Sequence, residues 1–336
     1  MRHHLACLAG FLICLVSGAP QSQEEYLLVL EDGDHGADDF DQIDVINTFR
    51  IHDLVILHAA VKPDMVEHLR LDRRIRTMEP NQVVHAMECH EQATGEELWG
   101  LSRISSREMP DYETATYQYD DETDGSGVNV YVVDTGIYVQ HNDFQGRASH
   151  GFTAPGITEG DDDLNGHGTH VAGIAAGFIH GVAKGANIIA VKALNQFGAG
   201  STSDIIAGME FVSQDHSSGT NSKSVANLSF GGSISAALDQ AVEATIQAGV
   251  SVAVVTGSSN SDACNYSPGR VPTAVTMAPT DITDSLSPSS NYGSCINAFA
   301  PGMLIKSTFI GDPDATAIRS GSSMAGPHAA GWMARY

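Results

Sequence analysis

The sequence predicts an α/β fold, a mainly parallel sheet with helices on both faces, preceded by a small α+β domain. Two patterns between residues 128 and 256 carry the first part of this prediction. Short apolar runs recur there, as is typical of strands that are buried on both faces. Segments with helical spacing separate the runs, and strand–helix–strand alternation favours a parallel sheet covered by helices.

The elements of the larger domain follow in order along the chain. Strands are predicted at residues 128–133, 188–194, 225–230 and 250–256, and helices at 167–178, 203–214 and 236–248. Functional side chains of such sheets gather where the parallel strands end. Three polar residues fall at or just past a predicted strand end: Asp134, Ser229 and Ser258.

The leading domain is predicted from a second, weaker pattern between residues 25 and 88. Strand signals lie at residues 26–30, 54–61 and 76–84, an acidic loop at 32–44 and a helix at 63–73. An unrelated small α+β domain is the alternative interpretation. Residues 87–97 are polar and contain Gly95, which is typical of a linker.

Composition and the first residues indicate where the protein works. A formal charge of −24 argues against nucleic acid or an anionic membrane as a partner. Residues 1–19 resemble a signal peptide, with Arg2 ahead of an apolar run at 5–16 that is too short to span a bilayer. A buried N-terminal segment is the alternative. We therefore expect a secreted, extracellular protein that is a monomer and has no membrane partner.

Three separate segments each offer one member of an acyl-transfer triad. Such chemistry needs a weak nucleophile, a base that takes its proton and a carboxylate that orients the base. Asp134 ends a predicted strand, His167 lies between two glycines before a predicted helix, and Ser323 precedes an apolar helical pattern. Each has a plainer interpretation: an aspartate closing a turn, a metal pair formed by His167 and His170, and a Ser/Gly loop.

Together these segments, in the order Asp, His, Ser, resemble the subtilase family, closest to its proteinase K-like branch. Residues 99–104 (Trp-Gly-Leu-Ser-Arg-Ile) resemble the opening of the mature enzymes of that branch. The resemblance implies a subtilisin-like catalytic domain over residues 99–336 and a serine endopeptidase that cleaves protein or peptide substrates through an acyl-enzyme. It also implies that residues 25–88 are an inhibitor-like propeptide, a partner of its own enzyme, released by autocleavage within residues 85–97.

The resemblance assigns two donors to the oxyanion hole, and at one of them this chain differs from the family. The backbone N–H of Ser323 is one donor. Relatives place an asparagine side chain where this chain has Ser258. A serine hydroxyl is shorter, so we expect slow turnover, unless a rearranged loop lets Asn260 compensate.

The resemblance also assigns the substrate contacts, in two segments that would pair with an extended peptide through main-chain hydrogen bonds. Ordinary glycine-rich turns are the alternative. The segments contain Gly198, Ala199, Gly200, Ser229, Phe230 and Gly231.

Of the five cysteines, Cys7 and Cys14 would leave with the signal peptide. Relatives carry a bridge at the positions of Cys264 and Cys295, which implies that disulfide here; two free thiols are the alternative in a protein that is not secreted.

No cofactor is required, but calcium is a candidate structural ion. The corresponding ligands would be Pro272, Ala274 and Asn297, and an asparagine in place of the family's aspartate implies weak binding. The acidic run at residues 161–163 could bind a cation, although such runs are more often solvated.

The family implies a few dozen residues beyond Tyr336, so the sequence resembles a truncated catalytic domain. Two further hypotheses therefore stand beside the secreted endopeptidase. One is a binding protein of protease fold that has impaired turnover and retains its propeptide. The other is an inactive fragment.

Overall fold

The structure, a computed structural model, describes residues 24–31, 36–81, 89–219 and 223–336. The signal peptide predicted at residues 1–19 lies outside the described residues. The chain divides into two compact units, Met1–Ala86 and Met87–Tyr336. Among the described helices, none combines the length and the hydropathy that a membrane-spanning segment needs.

The first unit is a four-stranded antiparallel sheet with one short helix. Its elements are β1 (Glu24–Leu30), β2 (Asp44–Ile51), β3 (Leu54–Val61), α1 (Val66–Arg70) and β4 (Ile75–Pro80), and the strand order is β2-β3-β1-β4. Every second side chain of β3 is buried, which is the alternation that made this strand predictable. Strand β2 was not predicted, because this edge strand leaves most of its side chains exposed and therefore has no apolar alternation.

The second unit is built on a seven-stranded sheet in which every neighbouring pair is parallel. The strand order is β15-β14-β12-β10-β7-β9-β8. These strands are β7 (Val128–Asp134), β8 (Ala148–Thr153), β9 (Asn187–Lys192), β10 (Lys223–Leu228), β12 (Ser251–Val255), β14 (Val275–Thr280) and β15 (Ala298–Pro301). The remaining strands form three two-stranded pairs: β5 (Cys89–Ala93) with β6 (Thr116–Asp120), β11 (Gly232–Ser233) with β13 (Tyr266–Ser267), and β16 (Ile305–Thr308) with β17 (Thr316–Arg319).

Helices cover both faces of the parallel sheet. They are α2 (Trp99–Ser105), α3 (His167–Ala176), α4 (Thr202–Ser218), α5 (Ala236–Gln247) and α6 (Ser322–Ala334). Along β7, Val130 and Val132 belong to the core that contains α3 and α6 residues, whereas Tyr131 and Val133 belong to the core that contains α4 and α5 residues. Because successive side chains of a strand point to opposite faces, β7 is apolar on both sides. The predicted α/β architecture is confirmed.

One local expectation needs correction. Residues 87–97 are not a simple linker, because Cys89–Ala93 form β5, and the amide and the hydroxyl of Thr94 both donate to the Ala115 carbonyl, at 3.1 and 2.9 Å. The sequence pattern missed this strand because its residues are mostly polar.

The disulfide implied by the resemblance is present. Cys264 and Cys295 are bonded, with their Cα atoms 5.4 Å apart. The bridge ties the segment after β12 to the segment before β15, next to the loop that carries Ser258.

Candidate active site

The parallel strands bring the predicted polar residues to one edge of the sheet. Asp134 is the last residue of β7, Ser229 follows β10, and Ser258 lies just past β12. The three strands are neighbours in the sheet, so their carboxyl ends meet. Helices α3 and α6, which begin at His167 and Ser322, pack against each other on one face of that sheet.

Asp134 and His167 form a close pair. Nδ1 of His167 lies 2.7 Å from Oδ1 of Asp134, whose side chain is fully buried. The same carboxylate oxygen accepts the Thr135 N–H at 2.8 Å. Because a carboxylate can only accept, Nδ1 carries the proton, and Nε2 is left as the basic atom of the neutral ring.

The electrostatics of the pair favour a base of raised pKa. Burial lowers the pKa of His167, but the charge and the hydrogen bond of Asp134 raise it, and the net shift is upward. His170, one turn further along α3, behaves differently: burial lowers its pKa to about 4, and its Nε2 faces the carbonyls of Ile305 and Ala317 at 3.1 and 3.0 Å. His170 is therefore a neutral packing residue, which removes the metal-pair interpretation of the two histidines.

Asp163 organises the loop around the pair, and the sequence analysis missed it. Its buried carboxylate accepts hydrogen bonds from the Thr135 hydroxyl, the Asn165 and Gly166 amides, and both the amide and the hydroxyl of Thr169, all within 3.0 Å. This single side chain joins the turn after Asp134 to the start of α3. The expectation of three solvated carboxylates at residues 161–163 is therefore wrong for Asp163.

Replacement of this carboxylate should destabilise the second unit. We expect Asp163→Asn to lower the free energy of unfolding by about 2–4 kcal/mol, because the amide turns an N–H group toward buried donors. Asp161→Asn is the matched control, since Asp161 is exposed and should change stability by less than about 0.5 kcal/mol. Denaturant titrations of both variants in a Ser323→Ala background would test this, and equal stabilities would contradict the role of Asp163.

A close approach at a glycine brings α3 against the end of β7. A Cβ atom on Gly168 would lie 2.1 Å from the Gly136 carbonyl oxygen and 3.1 Å from Cβ of Asp134. No larger residue fits there without moving the helix. The glycine after His167 therefore permits the short contact between the histidine and the aspartate.

Ser323 is the second residue of α6, at the positive end of the helix. Its hydroxyl donates to the Ser229 carbonyl at 2.9 Å, and the Ser229 hydroxyl donates to the Ser323 carbonyl at 2.9 Å. Pro327 explains the second bond, because it has no N–H to give to that carbonyl. In this conformation the Ser323 hydroxyl proton is directed at Ser229, and this hydrogen bond must break before the proton can pass to His167.

Ser258 lies beside the nucleophile segment. Its Oγ atom is 3.4 Å from Oγ of Ser322, the residue before Ser323, and its side chain is exposed. Gly257 before it has φ +86°, in the left-handed region that favours glycine. The position assigned by the resemblance is thus adjacent to the start of α6.

Asn291, another residue that the sequence analysis missed, holds the loop after Ser258. Its side-chain oxygen accepts the amides of Ser259 and Ser261 at 2.8 and 3.2 Å, and its side-chain nitrogen donates to the Thr256 carbonyl at 2.7 Å. The amide of Asn260 donates to the Ser289 carbonyl. The backbone on both sides of Asn260 is anchored, so the rearrangement that Asn260 would need to replace Ser258 is opposed by these bonds.

The two predicted substrate segments lie in extended or turn conformation outside the sheet. Residues 229–231 continue from β10, with Phe230 partly buried and Gly231 exposed. Residues 198–200 are exposed and follow a turn in which Asn195 exchanges backbone hydrogen bonds with Gly198 and Ala199. That turn is joined to the histidine loop, because the Asn165 side chain donates to the Gln196 carbonyl at 2.9 Å.

The candidate calcium ligands do not make a good cation site. Oδ1 of Asn297 already accepts the Thr276 N–H at 2.8 Å, and no carboxylate belongs to the set with Pro272 and Ala274. Calcium prefers charged oxygen ligands, so this set does not fit it. Asp161 and Asp162 are exposed near His150, with ligand atoms within 4.8 Å of one another.

Comparison with known proteins decides the family. The sequence model described as the subtilase family of peptidases matches residues 125–336. The chain belongs to the subtilase family. A subtilisin-like serine protease of Rhodotorula mucilaginosa, Rho m 2.0101, is 46% identical over 277 residues, which cover 81% of this chain and 80% of the relative.

Other subtilases agree with this assignment. Cerevisin of Saccharomyces cerevisiae is 42% identical over 80% of this chain, which spans only 43% of cerevisin. The crystal structure of a cold adapted subtilisin-like serine proteinase superposes with a TM-score of 0.63 and 46% identity, covering 69% of this chain and 82% of that one. The fold and the relatives of this chain are those of a serine endopeptidase.

Proposed function

We propose that this subtilase is a secreted serine endopeptidase that works through an acyl-enzyme and is made as an autoprocessed zymogen. Asp134, His167 and Ser323 are its triad. The observation that carries the proposal is the 2.7 Å contact between His167 and a fully buried carboxylate, at the sheet edge from which α6 presents Ser323.

The proton path follows from the tautomer of the histidine. Asp134 holds the proton on Nδ1, so Nε2 accepts the Ser323 proton as the hydroxyl attacks the scissile carbonyl. His167 then gives that proton to the leaving amine, and water repeats the cycle on the acyl-enzyme. The Ser323 hydroxyl must first release the Ser229 carbonyl. A substrate that pairs with residues 229–231 competes for that carbonyl and can favour this step.

The oxyanion is stabilised by the start of α6 and, weakly, by Ser258. The Ser323 N–H lies in the first turn of the helix, where amides have no intrahelical acceptor. The Ser258 hydroxyl is the second donor in this proposal. The substrate backbone binds as an added strand between residues 198–200 and 229–231, which gives affinity with little sequence preference.

The first unit acts as the propeptide in this proposal. The pairing of β5 with β6 in the second unit supports processing that leaves β5 on the mature enzyme. We therefore expect cleavage close to the boundary at Ala86, before Cys89. N-terminal sequencing of the secreted product measures this directly.

A fluorophosphonate probe tests the nucleophile. We expect it to label Ser323, to fail on Ser323→Ala, and to label Ser322→Ala still, because Ser322 is only 3% exposed. Mass spectrometry of the same preparations should show a processed wild-type chain and an unprocessed Ser323→Ala chain. Labelling that persists without Ser323 would contradict the proposal.

The binding-protein hypothesis remains the second candidate, because Ser258 is a short donor at the oxyanion position. It expects a labelled Ser323, no hydrolysis of casein, and the first unit copurifying with the second. Casein hydrolysis by the processed chain, absent in Ser323→Ala, would exclude it.

A further inference from the structure

Arg319 is a partly buried cation beside the proposed triad. It is the last residue of β17, four positions before Ser323, and its guanidinium carbon lies 4.9 Å from the centre of the Phe309 ring. In the part of the chain that the structure describes, no carboxylate pairs with it. The exposed Arg107 makes no ion pair with a described residue either, but Arg319 is partly buried and its guanidinium stacks on an aromatic ring.

Phe309 places this cation against the histidine loop. A Cβ atom on Gly166 would lie 2.4 Å from Cε2 of Phe309, so the ring packs directly on the residue that precedes His167. The charge of Arg319 also acts on His167, where it opposes protonation. The stacked pair of Phe309 and Arg319 therefore flanks the catalytic base.

The neighbouring residues indicate which part of a substrate would meet Arg319. Asn165 connects the histidine loop to the turn before residues 198–200, one of the two segments proposed to pair with the substrate backbone. The leaving amine must receive its proton from His167, so the first residues of the leaving peptide have to pass this histidine. The Phe309 ring packs on Gly166 of the same loop and Arg319 stacks on that ring, so both lie beside the histidine that the leaving peptide must pass.

We propose that Arg319, supported by Phe309, is a specificity-determining residue that selects an acidic side chain at the first or second position after the scissile bond. Stacking on the ring orients the planar guanidinium and leaves its N–H groups free for a carboxylate. The inference rests on the proposed function, because it concerns the substrate of the same site. It adds a sequence preference that main-chain pairing alone does not provide.

The test compares internally quenched peptides that differ only in Asp or Asn at one of these two positions. We expect kcat/KM of the wild-type chain to favour Asp by about three- to tenfold, in the range of a partly exposed charge-assisted pair. The ratio should fall to about one in Arg319→Gln and below one in Arg319→Glu. Arg319→Lys should keep part of it, since a lysine retains the charge without the planar fork.

A charge-matched variant separates local recognition from net charge. Arg107→Gln changes the charge of the chain equally at an exposed position outside the site and should leave the Asp/Asn ratio unchanged. The two peptides differ by one negative charge, so general repulsion by the acidic protein enters the ratio, and the comparison of Arg319→Gln with Arg107→Gln, which carry the same net charge, isolates the local contribution. An Asp/Asn ratio near one in the wild type, or one that survives in Arg319→Gln, would overturn the inference.

A binding measurement makes the result independent of turnover. Fluorescence anisotropy of the same peptides is measured with the full chain carrying Ser323→Ala, and the Asp peptide should bind about three- to tenfold more tightly. Such a preference without hydrolysis by the wild type would support the role of Arg319 and contradict the proposed function instead. Equal affinities of the two peptides would count against Arg319.

Discussion

Asp134→Asn should lower kcat by about 10⁴-fold, the loss measured when the carboxylate of another Ser-His-Asp triad is replaced by an amide. The amide can turn its NH₂ group toward Nδ1 of His167, which then becomes the acceptor. The ring proton moves to Nε2, and the atom that should take the Ser323 proton is no longer basic. The buried position of Asp134 leaves no solvent to rescue the correct tautomer.

The same substitution should move the acid limb of the pH–rate profile. His167 acts as a base only when neutral, and its pKa is raised, so wild-type activity falls as the pH decreases through that raised pKa. Removing the Asp134 charge takes away the main raising influence and leaves burial, which lowers the pKa. The residual activity of Asp134→Asn should therefore persist to lower pH than wild-type activity.

Kinetics on a chromogenic peptide, with active sites titrated by a fluorophosphonate, measure both effects. Asp162→Asn is the control, since Asp162 is exposed and outside the triad. A loss of less than about tenfold in Asp134→Asn, with an unchanged acid limb, would mean that the carboxylate does not orient the base.

The strands and the segments that contain the triad residues were predictable because local sequence patterns mark them. The strand that ends at Asp134 and the strand that precedes Ser258 are buried on both faces, so their sequences are continuous apolar runs. Glycines around His167 and the apolar pattern after Ser323 mark two helix starts. The resemblance then assigned roles to residues whose individual signals had plainer interpretations.

What could not be predicted depends on contacts between distant segments. Asp163 and Asn291 stand in polar stretches that look like loops, and only folding shows that their side chains are buried and saturated with hydrogen bonds. A basic residue such as Arg319 has no sequence signal that tells a paired cation from an unpaired one. The hydrogen bond from Ser323 to Ser229 likewise spans 94 positions.

Two buried polar side chains hold the loops around the reacting groups. Asp163 holds the turn after Asp134 by accepting the Thr135 hydroxyl, and Asn291 holds the loop after Ser258 by accepting the Ser259 amide. In both residues a side-chain oxygen accepts hydrogen bonds from backbone amides. Such bonds hold a loop in one conformation without a covalent link. The base and the loop after Ser258 are thereby positioned before substrate arrives, whereas the Ser323 hydroxyl still has to leave the Ser229 carbonyl.

Ser258→Asn should raise kcat by about 10²–10³-fold while changing KM little. The size corresponds to the effect of an oxyanion-hole asparagine in subtilisin, a member of this family. Ser258 is exposed, so the longer side chain meets no buried neighbour, and its amide can extend toward the oxyanion that forms over the first turn of α6. The competing contact with the Ser322 hydroxyl is long, at 3.4 Å, and easily given up.

The division of the effect between kcat and KM distinguishes this mechanism from better substrate binding. A donor that acts only on the tetrahedral intermediate raises kcat and kcat/KM together. Ser259→Asn is the matched control: it adds the same side chain one position later, in the loop whose backbone Asn291 anchors, and should not increase the rate. If Ser258→Asn leaves kcat unchanged, the wild-type hydroxyl is already an adequate donor or another group supplies it. The expectation of slow turnover, on which the binding-protein hypothesis depends, would then lose its physical basis.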